Sequence, residues 1–329
     1  MKILVTGITG FIGGKVCDKL IENNHKTIVS LIRPGTKKSR YRKYDKNGVK
    51  CEFIELIDKN SIKRIFNKYK FDIVYHIAAI RGGRNLPKKQ YFDVNVNSTK
   101  YIAEECIKNN SKMIFCSSVG IFGAIPKELP PDENTPRQDD NYYHYTKIEA
   151  ENILQRLVKQ NLELIIIRPS ITYGIGDFGF PFNLIKLVDK GMMFLSSNDI
   201  KINMVNLNTL TKAFIQAGKT KLNSGNAYNI ADKNPISLKK LVNHINYRLK
   251  GKKYPFWKVI PEFIFNFFDF IFSNILKNEL WKARIELISK SWYYDVTPAE
   301  QDLRFKAGNT IPDFNYVIDW YKDFKKEEQ

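Results

Sequence analysis

The stretch KILVTGITGFIGG at residues 2–14 constrains the fold more than any other part of the chain. An apolar, β-branched run enters Gly7, Gly10 and Gly13, spaced three apart, and a helical pattern follows without a break. Such glycines permit a tight turn, close approach of backbone to a pyrophosphate and tight helix–strand contact, with the helix N-terminus facing the phosphates. A dinucleotide site at the first strand–helix junction is therefore expected.

The alternation continues through the first half. KILVTG, TIVSLI (27–32), CEFIEL (51–56), DIVYHIA (72–78), KMIFCSS (112–118) and ELIIIRP (163–169) read as strands, with helical segments such as GGKVCDKLIENN and TKYIAEECIKNN between them. Nearly continuous apolar strands alternating with helices predict a parallel sheet covered on both faces. The fold class is α/β, a doubly wound (Rossmann) domain over 1–170 that carries the expected dinucleotide site. Beyond about residue 170 the alternation loosens into proline- and aromatic-rich segments, which predicts a smaller C-terminal substrate lobe over 171–329. NAYNIAD (226–232) is expected to return to the sheet.

Composition narrows the partners. A chain of 329 residues, 43% hydrophobic and 26% charged, can bury a sizeable core. Its net charge of +19 would suit nucleic acid, an anionic membrane or a phosphorylated ligand. The lysines are scattered and no nucleic-acid motif accompanies them, so no nucleic-acid partner is expected. Cys17, Cys51, Cys106 and Cys116 have no CxxC or metal-ligand spacing, so no metal site is expected. Three of them lie in apolar stretches, which suits a reducing compartment, and MKILVTG enters a strand at once, so no signal peptide is expected. A cytoplasmic location is expected.

NYYHYTK (141–147) crowds three tyrosines ahead of a lysine. On a helix, residues four apart share a face, and only Tyr143 has a cation at that distance, Lys147. An ammonium near a phenol favours the phenolate and draws its pKa toward neutrality, which proton transfer requires.

Together the ordered motifs resemble the extended short-chain dehydrogenases/reductases, the NAD-dependent epimerase/dehydratase group. TGITGFIGG is similar to that family's TGxxGxxG, DIVYHIAA to D-x-V-x-H-x-A-A, DVNVNST to N-V-x-G-T and CSSVGIFG to S-S-x-x-x-Y-G. YHYTK matches Y-x-x-x-K and RPSITYGIGD resembles R-P-x-x-x-Y-G. The resemblance implies a catalytic set of Ser118, Tyr143, Lys147 and Asn95. Tyr143 would be the general acid/base, Ser118 the donor to the substrate oxygen, Lys147 the group that tunes the phenol and holds ribose hydroxyls, and Asn95 the residue that orders a water beside it. It also implies a cofactor cleft formed by Gly7, Thr9, Gly10, Phe11, Ile12, Gly13, Arg33, Glu55, Leu56, Ala78, Ala79, Lys147, Arg168 and Pro169. Ser98 and Phe122 depart from the pattern, standing where a glycine and a tyrosine are usual. His76 is expected in the core and His144 in solvent.

The cofactor implied is NAD(P), with NADP(H) favoured. The run after the second strand, RPGTKKSRYRK, has no acid for a ribose 2′-hydroxyl and clusters Arg33, Lys37, Lys38 and Arg40 where a 2′-phosphate would lie.

The C-terminal half fits the nucleotide-sugar members less well. Ile202 stands where their diphosphate-holding arginine would fall, and their late R-R-x-G-D has no counterpart. YPFWKVIPEFIFNFFDFIFSNIL (254–276) and WYYDVTPAEQDLRF instead resemble the 3β-hydroxysteroid dehydrogenase-like and flavonoid-reductase-like branch, with Pro298 in place of a lysine. The expected activity is hydride transfer at an alcohol/carbonyl carbon of an apolar or lipid-like substrate. A nucleotide-sugar epimerase/dehydratase is the alternative, and a non-catalytic NAD(P)-sensing regulator the third reading. The phenylalanine-rich segment 259–276 is expected to pack on the pocket or in a homodimer seam. Peripheral membrane contact, helped by Lys252, Lys253 and Lys258, is the competing reading.

Overall fold

Alternate residues of the first strand sort to opposite faces, as a period of two demands. The computed structural model describes residues 1–25, 27–132, 134–276 and 279–328. Within it, β1 (Lys2–Thr6) sends Ile3 and Val5 into one apolar cluster and Leu4 into another. The strands β2 (Thr27–Ile32), β3 (Lys50–Phe53), β4 (Ile73–His76), β5 (Lys112–Cys116), β6 (Leu164–Pro169) and β7 (Asn226–Ile230) join it. The seven run in the order β7-β6-β5-β4-β1-β2-β3, every neighbouring pair parallel. This is the doubly wound sheet expected from the alternation, and its direction of winding reverses between β1 and β4, the place where such sheets bind ligands.

Helices cover both faces. On one lies α1 (Phe11–Glu22), and on the other α2 (Lys59–Tyr69), α3 (Ser98–Asn109) and α4 (Tyr142–Val158). After β6 the chain leaves the sheet through α5 (Phe180–Asp189). It returns when α6 (Leu207–Lys219) packs beside α1, burying Leu210 and Phe214, and β7 adds alongside β6. A separate cluster, built on Tyr173, Ile185, Leu241, Trp292, Phe314 and Ile318, holds α5, α7 (Leu238–Lys250) and a long C-terminal helix (Thr310–Glu327) together.

The phenylalanine-rich segment begins with a short strand, Val259–Ile260, paired with Leu195–Ser196. It continues as α8 (Glu262–Phe270), which runs into a wider π-turn at 271–275 and is followed by α9 (Glu279–Ser289). Of the phenylalanines in α8 only Phe265 is buried, whereas Phe263, Phe267, Phe268 and Phe270 are exposed. Among the described residues no helix is long and apolar enough to cross a membrane.

The first turn is held by contact too close for side chains. Gly7 has φ of +81°, and a Cβ built on Gly13 would lie 2.3 Å from the Gly7 carbonyl oxygen. Gly13→Ala must push α1 off β1, so we expect a loss of about 1–3 kcal/mol in urea denaturation, as for overpacked cores. Gly35→Ala meets no neighbouring atom but carries a positive φ, so its loss should stem from local backbone strain alone.

Candidate active site

Asn141 starts α4 by accepting a hydrogen bond from the His144 N–H at 2.9 Å. That start sets the phase of the helix. Tyr142 and Tyr145 turn to a surface aromatic cluster, their rings 5.3 Å apart and set against Tyr91 and Phe92. Tyr143 and Lys147 turn to the sheet. The buried Lys147 ammonium donates to the Cys116 carbonyl at the end of β5, at 2.7 Å, and lies 5.9 Å from the centre of the Tyr143 ring. The Tyr143 phenol shares a cavity wall with Ser118, which draws its pKa down, and the Ser118 hydroxyl accepts from the Gly120 N–H at 3.0 Å. The three residues implied by the sequence motifs are therefore adjacent.

Among the protein's own groups, burial pushes the Tyr143 phenol above its ordinary range, and Ser118 pulls it back only in part. Burial pushes the Lys147 ammonium down. Desolvation thus outweighs the mutual effect expected from the four-residue spacing.

One turn beyond Lys147, Glu151 is fully buried and anchors the helix. It accepts from the Ser117 hydroxyl at 2.5 Å and from Arg168 at 3.0 and 2.7 Å, and Arg137 lies at 3.2 Å. Burial raises the carboxyl's pKa, but the Arg168 guanidinium overcomes this and holds it below its ordinary value. This corrects the expectation for Arg168. Its guanidinium is committed to Glu151 and stacked 5.6 Å from the Phe122 ring, and it does not line the cofactor cleft.

Two cavities meet at the Ser–Tyr pair. The larger, about 1350 Å³, runs along the C-terminal edge of the sheet. Gly7, Thr9, Gly10, Phe11, Ile12, Gly13, Arg33, Glu55, Leu56, Ala78, Ala79, Lys147 and Pro169 all line it. Its residues fit a dinucleotide. No side chain caps α1, so the helix N-terminal N–H groups are left to an anion, and the glycine turn forms the cradle a Cβ would fill. The second cavity, about 890 Å³, is walled by the 82–84 loop, the turn around Gly120 and Gly123, Trp292, Tyr294 and α9. Ser118 and Tyr143 line both cavities, while Lys147 lines only the first.

Other expected residues fall elsewhere. Asn95 is buried, with its carbonyl accepting from the Ile80 N–H at 2.7 Å and its amide donating to the Ile80 carbonyl and the Thr146 hydroxyl, each at 3.0 Å. It joins the loop after β4 to α4, and these hydrogen bonds do not reach Lys147. His76 is buried between Thr6 and Thr99, each at 2.9 Å, and burial lowers its pKa to about 3, so it is neutral. His144 is not a solvent residue. It is paired with Asp140, packs over Gly120 and lines the second cavity. Ser98 fills the place of the usual glycine by donating to the Val94 carbonyl at 2.6 Å.

Sequence reasoning missed the cations of the second cavity, Arg84, Lys88 and Lys282. The 81–84 loop that carries Arg84 is held by the Tyr91 hydroxyl, within 3.0 Å of the Arg81 and Arg84 carbonyls. The doubled arginine of RGGR was the available signal. Lys282 had none, since it lies far away in sequence.

A family model for the NAD dependent epimerase/dehydratase family matches residues 3–202. The chain is 32% identical over 196 residues to an N-acetyl-alpha-D-glucosaminyl-diphospho-ditrans,octacis-undecaprenol 4-epimerase of Escherichia coli O157:H7, covering 55% of this chain and 56% of that protein. It is 24% identical over 322 residues to a UDP-glucose 4-epimerase of Vibrio cholerae, covering 94% and 92%. The chain spans about half the length of most of the first relatives it matches, 56% in the first and 50% in another, and 92% of the Vibrio cholerae protein. Among solved structures it resembles a UDP-glucose 4-epimerase with UDP-glucose from Thermotoga maritima (TM-score 0.75, 20% identity, 99% and 100% covered). It also resembles a UDP-glucuronic acid 4-epimerase from Bacillus cereus in complex with NAD (TM-score 0.74, 21% identity, 98% and 99% covered). At these identities the structural likeness speaks to the fold. The named relatives favour the sugar alternative over an apolar alcohol.

The Glu151–Arg168 pair makes a test. Arg168→Ala leaves a buried carboxylate without its main partner, and we expect a loss of about 3–5 kcal/mol in urea at pH 7. Because folding depresses the Glu151 pKa, the pair's stabilisation is complete above the unfolded carboxyl's 4.5 and is lost as pH falls through the lower folded value. The gap between wild type and variant should therefore close in acid.

Proposed function

Since the chain belongs to the NAD dependent epimerase/dehydratase family, we propose that it inverts a carbinol carbon of a sugar carried on a diphosphate. One observation carries the reading most directly: Ser118 and Tyr143 lie on the wall shared by the dinucleotide cleft and a second cavity large enough for a sugar. Arg84, Lys88 and Lys282 supply that cavity with cations suited to a diphosphate, although Ile202, buried in the lobe core, replaces the arginine usual at its position. The relatives' names put the sugar on UDP in some cases and on undecaprenyl diphosphate in another, and the diphosphate is what they share.

A bound nicotinamide cofactor supplies the acceptor and donor of the hydride. Tyr143 takes the proton from the sugar hydroxyl as its carbon is oxidised and returns it to the same oxygen when the carbon is reduced on the opposite face. Ser118 donates a hydrogen bond to that oxygen while it is a carbonyl. Lys147 sits on the cofactor side, where its charge favours the phenolate and its remaining N–H bonds are available to ribose hydroxyls. Asn95 positions the start of α4 through Thr146. Proton and hydride both return, so no net oxidation results.

We also propose that NADP(H) binds in preference to NAD(H). Arg33 and Arg40 line the dinucleotide cleft at the end of β2, Arg40 donating to the Thr9 carbonyl at 2.7 Å, and the end of β2 carries no carboxylate.

Conversion of UDP-glucose or of polyprenyl diphosphate N-acetylglucosamine to its C4 epimer, without net nicotinamide reduction, tests the reaction. Tyr143→Phe should lower kcat about 10²- to 10⁴-fold with cofactor affinity nearly intact, and Lys147→Ala should damage both. Unchanged turnover in Tyr143→Phe would sink the assignment. In titrations at modest salt NADPH should bind more tightly than NADH, and Arg33→Ala should narrow the gap by roughly 1–3 kcal/mol. Equal wild-type affinities would remove the cofactor proposal and leave the epimerase reading in place.

A further inference from the structure

The stretch 256–281 leaves large apolar side chains in water. Phe256 is 82% exposed, Phe263 70%, Trp257 67% and Phe267 60%. Single exposed hydrophobes are ordinary, but a contiguous patch marks a contact surface. Contiguity here comes from packing. Phe256 meets Trp257 edge-on at 5.5 Å, and Phe267 meets Phe268 at 6.0 Å. Pairing of Val259–Ile260 with Leu195–Ser196 brings the exposed Met192 and Phe194 alongside, and the Lys258 ammonium lies 5.2 Å above the Phe194 ring.

Exposed cations adjoin this patch. Lys252 and Lys253 precede the aromatic run, and Lys190 precedes Gly191, whose carbonyl accepts from Lys258. Further along the same stretch an aromatic pair borders the substrate cavity. Phe272, which lines the cavity, stacks at 5.8 Å on Trp281, which is 47% exposed. The same cavity carries Lys282, Arg84 and Lys88 and ends on Ser118 and Tyr143.

We propose that this aromatic face rests on an anionic bilayer, and that the sugar diphosphate reaches Tyr143 while still attached to a membrane lipid. The inference rests on the sugar-epimerase reading and adds the carrier to it. Aromatic rings favour the membrane interface, and neighbouring lysines attract anionic headgroups, in keeping with the chain's net charge of +19. The Phe272–Trp281 stack gives an apolar carrier a path from the cavity to the acyl region, with the diphosphate held by the cavity's cations.

The full chain is tested by co-sedimentation with phosphatidylcholine vesicles, with and without phosphatidylglycerol. The wild type should bind the anionic vesicles, less so at high salt. A Phe263→Ser, Phe267→Ser double variant should lose at least tenfold in binding while keeping its circular dichroism and cofactor affinity. Epimerisation is then compared for N-acetylglucosamine on polyprenyl diphosphate, presented in those vesicles, and on UDP in solution. At least tenfold faster conversion of the lipid-linked sugar supports the proposal. Faster conversion of the UDP-sugar by a protein that ignores vesicles overturns it and leaves the epimerase reading standing. Conversion of neither overturns both. A purified dimer that the double variant splits into monomers identifies the face as a subunit seam and also overturns the proposal.

Discussion

A carboxylate with no exposed surface, Glu151, fixes the geometry on which the site depends. Removing a charge from water is unfavourable unless it is paired and hydrogen-bonded. Its partners come from separate parts of the chain: Ser117 beyond β5, Arg168 in β6 and Arg137 in the loop before α4. Satisfying all of them allows α4 one rotation about its axis. Lys147, one turn earlier, then meets the Cys116 carbonyl, and Tyr143 meets Ser118, the neighbour of Ser117. The net stabilisation from such a buried pair is small, because desolvation offsets attraction. Its larger effect is on register, which turns Tyr143 and Lys147 toward the sheet.

The sheet places this apparatus at its C-terminal edge, where the winding reverses and a cleft must open. Along that edge the first turn contributes backbone N–H groups and the segment after β2 contributes Arg33 and Arg40, while α4 contributes the phenol and ammonium. The second cavity is assembled differently. Its walls come from the loop after β4, the turn after β5, and residues near 282–294 contributed by the end of the chain. Tyr143 lies at the boundary, on the wall that the two cavities share. Burial there raises the pKa of its phenol.

Where sequence and structure part, the pleat and the competition for hydrogen bonds explain it. In the motif RPSITYG, Pro169 lines the dinucleotide cleft, but its neighbour Arg168 must point to the other side of the strand, where Glu151 waits. Asn95 has a motif position suggestive of catalysis, yet the unpaired backbone of Ile80 claims its carbonyl and amide. His144 looked like a surface residue by composition alone. The Asn141 cap and Asp140 hold its ring over Gly120, where no side chain stands in the way.

What the sequence determined by itself is whatever local period and local sterics encode. The glycine turn, the alternating strands of the sheet and the four-residue spacing of Tyr143 and Lys147 all belong here, because each depends on neighbours within a turn or two. Tertiary structure alone decided that Arg168 serves Glu151 and that Arg84, Lys88 and Lys282 share one cavity. It alone decided that the rings of Phe263 and Phe267 remain in water while Phe265 does not. A helix with apolar residues on every side does not reveal which of them will find a neighbour. That depends on which distant segments fold against it, and no local pattern carries that information.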